Sequence, residues 1–271
     1  MPGHPVHVWW AGLADAHTGL LALLDPVERR RHDATVDRAG RGRFLVGCAL
    51  SRLALGATLG VPPADVPLRR VCPRCGGPHG KVRLAPPPDE SSCGGPRLDF
   101  SVAHSGAVIG VAVCENGRVG LDVEEADVGL DVDAAARVAL ADAELAALYG
   151  RPPAARKAAF LRTWTRKEAV LKALGVGLAA PLRGLELSGP QQPPAVLAWP
   201  EQLGARPDMS LTDLLVHGTH PAAVAVTGAA AAGATGVEGT PGDVRVTLRD
   251  GSAALAEYVR RTTVADTPPG A

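Results

Sequence analysis

The chain has 271 residues, enough for one large domain or two small ones. Hydrophobic residues make up 46% of it and aromatics only 3%, so a sizeable core is possible but Ala, Gly, Leu and Val must fill it. Lys+Arg and Asp+Glu each number 28, a formal net charge of zero, which gives no global reason to bind nucleic acid or an anionic membrane. Any anion site must be a local basic cluster.

Residues Met1–Leu24 show no charged segment followed by an apolar block, so no signal peptide is expected. No stretch of about 18 apolar residues runs free of charge or turn residues, so no membrane span is expected either. The cytoplasm is the expected compartment. Val6–Trp10 alternates as a short strand. Asp25-Pro26 followed by Val27–Arg31 reads as a capped helix start, Asp at the N-cap and Pro at the first turn. Arginines 29, 30, 31, 38, 41 and 43 concentrate positive charge in one stretch. A second helix is predicted from about Arg43 to Leu59, with Phe44, Leu45, Cys48, Leu55 and Leu59 as its apolar face and Val61-Pro62-Pro63 as its stop.

Residues 71–97 are irregular, rich in Cys, Pro and Gly. Strands follow at Leu98–Ala103, Val108–Cys114 and Val119–Val123, and Asn116-Gly117 between the last two predicts a hairpin. A helical region covers Asp131–Leu148 and a long helix Ala154–Leu174, ended by Gly175. Strands at Leu185–Leu187, Val196–Trp199 and Ala222–Val226 come next. Residues 228–236 read as a linker, and Val244–Leu248 and Ala253–Arg261 as an added strand and helix. The chain divides into an α+β half over 1–125, a second over 126–228, and a linker and tail over 229–271.

Three constellations carry chemistry. In Gly120-Leu121-Asp122-Val123-Glu124, strand periodicity turns Asp122 and Glu124 to one side. Two carboxylates so close repel unless a cation lies between them, and oxygen donors suit Mg²⁺. A solvated strand end with an acidic turn fits the same residues. In the long helix, Phe160, Trp164, Leu171 and Leu174 form a stripe that includes Lys167, with Glu168 along its edge. A charge there needs a partner. Glu168 and Lys172, four apart, also fit an ordinary helical salt bridge. In Asp99–Gly106, His104 leaves a strand at a loop mouth, placed to donate to a phosphate or simply to lie on the surface. The basic run could grip a phosphate monoester bidentately or be a solvated helix face, and Lys81 after Pro78-His79-Gly80 is a candidate on the same logic. Cys72-x₂-Cys75, with His79 and Cys93 nearby, could hold zinc, but a second ligand pair is missing and Gly76-Gly77-Pro78 suggests a plain turn.

Taken in order, Gly42-Arg43-Phe44-Leu45, Pro78-His79-Gly80-Lys81, Phe100–Gly106, Val119–Glu124 and Trp164–Leu178 resemble the surfactin-type class of 4′-phosphopantetheinyl transferases over roughly residues 5–228. The resemblance implies an α+β fold: a pseudo-twofold monomer of two similar subdomains, with coenzyme A and Mg²⁺ at their junction. It implies Asp122, Glu124 and Glu168 as metal ligands, Glu168 and Lys172 as catalytic residues, and Arg31, Arg43, Lys81 and His104 as coenzyme-binding residues. It implies an acyl or peptidyl carrier protein as partner, a small acidic helical domain; the sequence does not locate its docking surface, and the helix near Asp131–Leu148 is one candidate. In this sequence Ala103 stands where many relatives have Ser, and Glu28 where some are basic. Two other functions fit parts of the pattern. A coenzyme A or nucleotide-binding protein without transferase activity would not need the three carboxylates. A metal-dependent phosphodiester hydrolase would carry a denser cluster of ligands.

Overall fold

A computed structural model describes residues 5–70, 77, 80–85, 98–127, 129–177, 180–228 and 244–265. The Cys72, Cys75, His79 and Cys93 group proposed for zinc, and most of the 228–236 linker, lie outside the described residues.

The first strand, β1 (Pro5–Gly12), leads into α1 (Pro26–Ala34). As the Asp25-Pro26 pair predicts, Asp25 Oδ1 accepts from the Val27 and Glu28 amides, and Glu28 Oε2 accepts from the Asp25 amide in return. The next helix, α2 (Arg38–Leu59), starts five residues before the expected point, because Asp37 accepts from the Ala39 and Gly40 amides and caps it there. Its core face holds Leu45, Cys48 and Leu55, but Leu59 lies on the exposed side in the last turn. It is long and apolar enough to cross a membrane, yet most of that stretch is buried in the core. Two short strands, β2 (Leu68–Arg70) and β3 (Val82–Leu84), pair with each other. Then come β4 (Leu98–Ser105), β5 (Val108–Glu115) and β6 (Arg118–Val123).

The Asn116-Gly117 turn forms, with Asn116 at φ +62°, but it does not make a hairpin. On one side β5 pairs with β1 and on the other with β4, so no edge is left for β6. Instead β6 crosses into a second sheet. Its inward edge meets β4 through side chains rather than a backbone ladder. Asp99, Ser101 and Ser105 accept from the amides of Val119, Leu121 and Glu125 at 2.9, 3.0 and 3.0 Å. Sheet pairing therefore joins 118–123 to the strands His220–Thr227 and Met209–Val216 of the second sheet.

The single helical region expected over 131–148 is two helices, α3 (Val132–Ala139) and α4 (Asp142–Tyr149), split at Leu140-Ala141 where Glu144 accepts from the Ala141 amide. The long helix α5 (Pro153–Leu174) ends at Gly175, whose φ of +77° is the left-handed cap expected of glycine. After β7 (Glu186–Leu187) and β8 (Val196–Ala198) comes β9 (Met209–Val216), a strand the sequence did not announce. Its neighbour β10 (His220–Thr227) is buried along most of its length between β6 and β9. The tail forms β11 (Arg245–Asp250), parallel to β1, and α6 (Gly251–Ala265), which packs on α2 and buries Leu255 in the first core. The result is an α+β chain with sheets β11-β1-β5-β4 and β6-β10-β9, each carrying one 22-residue helix, α2 or α5.

Buried charges are matched inside this frame. Arg52 donates to Glu28, Asp25 and the Ala64 and Val66 carbonyls. Arg166 donates to both Asp213 oxygens and to the carbonyls of Ser188, Gly189 and Gln192. Desolvation of a guanidinium is offset only by such complete pairing.

The second half rests on the contact of α5 with β6. A Cβ on Gly120 would stand 1.9 Å from the Ala169 carbonyl oxygen and 2.4 Å from the Ala173 nitrogen. Only a residue without a side chain lets helix and strand backbones meet so closely. Gly120→Ala must push α5 outward, and is expected to cost about 1–3 kcal/mol or more, read as a drop of several degrees in Tm. Gly129→Ala is the control, since a Cβ there meets nothing within 4 Å. An unchanged Tm for Gly120→Ala would show that this seam is not tight.

Candidate active site

Residues 120, 122 and 124 share the face of β6 that meets α5. The same contact that requires Gly120 therefore aims Asp122 and Glu124 at the helix, where Glu168 and Lys172 lie one position before Ala169 and Ala173. Lys172 Nζ donates to Asp122 Oδ1 at 2.6 Å. The i,i+4 pairing of Glu168 with Lys172 is thus replaced by a bond across the seam. Asp122 is only 6% exposed. Burial raises its pKa to about 7; the Lys172 ammonium pulls it down, and the Glu124 and Glu168 charges add to the rise. Burial also raises Glu168, opposed by Lys172 and aided by Glu124.

Glu124 is held at both oxygens: Trp164 Nε1 donates to Oε1 at 3.1 Å and Ser105 Oγ to Oε2 at 2.7 Å. The sequence placed Trp164 in an apolar stripe with Phe160, on which its ring stacks, and did not single out Ser105. The available signal was the indole N–H, which needs a partner when it is half-buried. Lys167 is structural. Its ammonium pairs with Glu144 at 2.6 Å and donates to the Ala139 and Leu182 carbonyls, which is the partner its place in the stripe demanded.

A cleft of about 1210 Å³ runs between the halves, and all five expected basic residues, Arg31, Arg43, Lys81, His104 and Lys172, line it; Lys172 is the member of the cluster that it reaches. So do Arg70 and Arg83, which the sequence reading passed over. The lining holds one acid, Glu28, which is bound to Arg52. The cavity is therefore strongly cationic in a chain of zero net charge. Arg43 donates to the Gly106 carbonyl at 3.1 Å, which steadies the turn after His104, and Glu125 grips the same turn through the Ala107 amide. Lys81 donates to Asp99 at 2.6 Å and to the Val119 carbonyl, and burial lowers its pKa. It therefore ties β4 to β6 as well as facing the cleft. His104 stands at the solvent-reached mouth, where partial burial and then the charges of Lys172 and Arg43 hold it below the usual histidine range. It is a neutral donor at pH 7. Of the rest of the basic run, Arg29 and Arg41 donate to the Leu24 and Thr35 carbonyls.

The residues fit a hard divalent cation. Asp122 Oδ2 and Glu168 Oε1 are buried without a hydrogen-bond partner, and all three side chains offer carboxylate oxygen. Among the described residues, no three such ligands are already drawn to metal-binding spacing, and Asp122 is held by Lys172 and Glu124 by Trp164 and Ser105. A cationic cleft whose lining includes Lys172, itself bonded to Asp122 of the acidic cluster, suits the binding of a phosphate ester and chemistry at its phosphorus.

The family model of the 4′-phosphopantetheinyl transferase superfamily matches residues 118–225, which run from β6 to β10 and include Asp122, Glu124, Glu168 and Lys172. The chain is 30% identical over 226 residues to the 4′-phosphopantetheinyl transferase HetI of Nostoc sp., covering 82% of this chain and 88% of that protein. It is 36% identical over 84 residues to the 4′-phosphopantetheinyl transferase AcpT of Salmonella typhimurium, covering 31% of this chain and 43% of the relative. The chain belongs to the 4′-phosphopantetheinyl transferase superfamily.

Proposed function

We propose that this transferase is of the surfactin type and moves the 4′-phosphopantetheine arm of coenzyme A to a serine of an acyl or peptidyl carrier protein, with Mg²⁺ and release of 3′,5′-ADP. The observation that carries this reading is the convergence of Asp122, Glu124, Glu168 and Lys172, the last of which also lines one cationic cleft.

The serine oxygen forms a bond to the β-phosphorus of coenzyme A, and the bond from that phosphorus to the bridging oxygen of 3′,5′-ADP breaks. No covalent enzyme intermediate is needed, so positioning and charge stabilisation do the work. Arg31 and Arg43 hold the 3′-phosphate. Lys81 backs the nucleotide, and His104 donates to a coenzyme phosphate. Asp122, Glu124 and Glu168 would hold the Mg²⁺, which would supply positive charge to neutralise the pyrophosphate. Trp164 and Ser105 fix the Glu124 carboxylate in place for that task. Glu168 accepts the serine proton, a role its raised pKa favours. Lys172 stabilises charge on the phosphoryl oxygens.

Incubation with coenzyme A, Mg²⁺ and an apo carrier protein is expected to raise the carrier mass by one phosphopantetheine. Coenzyme A hydrolysis without a mass gain would point to a hydrolase, and binding without turnover to a plain coenzyme-binding protein. Glu168→Gln is expected to lower kcat by roughly 10²–10⁴-fold at saturating Mg²⁺, and undiminished turnover would reject the proton-acceptor role. Metal affinity is also expected to depend on pH. Asp122 titrates near 7 and only its ionised form can ligate, so affinity is flat above about 7 and falls as pH drops below it. A Mn²⁺ titration of the protein from pH 5.5 to 8 checks this, and an affinity that stays level down to 5.5 would contradict it.

A further inference from the structure

Glu125 follows directly on Glu124, yet neither the motifs nor the mechanism uses it. A fourth carboxylate beside three clustered acids adds like charge, so its place needs a reason. It is half-buried, and its side chain reaches across to the two-residue turn that joins β4 to β5. There Oε1 accepts from the Ala107 amide at 2.7 Å. Gly106, at φ +50°, makes room for it: a Cβ on Gly106 would stand 1.8 Å from the Glu125 carboxyl carbon.

The backbone of Glu125 grips the same turn a second time. Its amide donates to Ser105 Oγ at 3.0 Å, and Ser105 Oγ donates to Glu124 Oε2 at 2.7 Å. With an amide on its lone pair, the hydroxyl has its proton directed at Glu124. The turn is also anchored from the first half. The Leu13 amide donates to the Ala107 carbonyl at 2.8 Å, and Arg43 to the Gly106 carbonyl at 3.1 Å. Residues 124 and 125 therefore hold Ser105 and Ala107 by three hydrogen bonds that close a ring. Ser105 keeps its aim at Glu124 as long as the Ala107 amide beside it is held.

We infer that Glu125 is a positioning residue: by clamping the turn at 105–107 it holds Ser105 on Glu124, and so fixes the direction in which that carboxylate is presented to a divalent cation. This rests on the metal site of the transferase reading above. The role needs an acceptor oxygen at the reach of a glutamyl side chain, and it needs no negative charge. A further metal ligand, or a charge that draws the cation in, would need the negative charge itself.

The test is Mn²⁺ binding to the coenzyme-free protein, read from the electron paramagnetic resonance of the free ion, for the wild type, Glu125→Gln, Glu125→Asp, Glu125→Ala and Asp127→Ala. Glu125→Gln keeps the acceptor and loses the charge, and should bind within about twofold of the wild type. Glu125→Asp keeps the charge but is too short to reach the Ala107 amide, and should weaken binding about tenfold, as should Glu125→Ala. Asp127→Ala removes an exposed charge two residues on and should match the wild type. A Glu125→Gln variant as weak as Glu125→Ala overturns the inference in favour of charge. A Glu125→Asp variant that binds like the wild type overturns it too. If Glu125→Ala fails to fold, the Gln and Asp variants decide: Gln must hold the wild-type affinity and Asp must lose it, and any other pattern overturns the inference. A wild type that binds no Mn²⁺ would instead overturn the metal reading, and this inference with it.

Discussion

The close approach of α5 to β6 at Gly120 is the constraint on which the site depends. A strand repeats every two residues and a helix every three to four, so one tight contact fixes what lies on either side of it. With Gly120 pressed on the Ala169 and Ala173 backbone, Asp122 and Glu124 must face α5, and Glu168 and Lys172 must flank them. The Glu124 charge is then close enough to raise both Asp122 and Glu168, and Asp122 is buried to the point that its pKa moves to about 7. Such a cluster is costly in an apoprotein. The Lys172 ammonium on Asp122 offsets part of the cost, and two carboxylate oxygens remain buried without partners. Unsatisfied acceptors of like charge are unusual in a folded interior, and a divalent cation is the natural complement.

The protein keeps two kinds of buried charge. Arg52, Arg166 and Lys167 are almost completely shielded, and each is surrounded by carboxylates and carbonyls that take its donors. They join elements distant in sequence, Arg52 linking α2 to α1 and Arg166 linking α5 to β9. The cleft cations are only partly buried and share fewer acids. Geometry separates structure from function here: where every donor is satisfied from within the chain a ligand has little to add.

The two sheets meet in an unusual way that also serves the cleft. Because β5 is paired on both edges, β6 cannot close a hairpin, and β4 supplies Asp99, Ser101 and Ser105 to its amides instead. Ser105 also donates to Glu124, so the joint between the sheets and the acidic cluster share a side chain. Lys81 does the same at the other end, binding Asp99 and the Val119 carbonyl while facing the cleft. The tail adds to the first half by pairing β11 with β1 and burying Leu255 behind α2.

Local chemistry was legible in the sequence wherever it depends on a few adjacent residues. The Asp25 cap, the Gly175 stop, the strand that turns Asp122 and Glu124 to one side, and the tail strand and helix all follow from spacing and propensity. The family resemblance then named the acids, Lys172 and the four cleft residues. What only the tertiary structure decided is pairing across distance. Whether Asn116-Gly117 closes a hairpin depends on which edges of β5 are already taken. Which sheet holds β6 depends on β10, about a hundred residues away. Trp164, Ser105 and Glu125 gained their places from partners on other elements, Glu124 for the first two and the Ala107 amide for the third. A sequence fixes what each segment can offer, but the close packing of segments determines which offers meet.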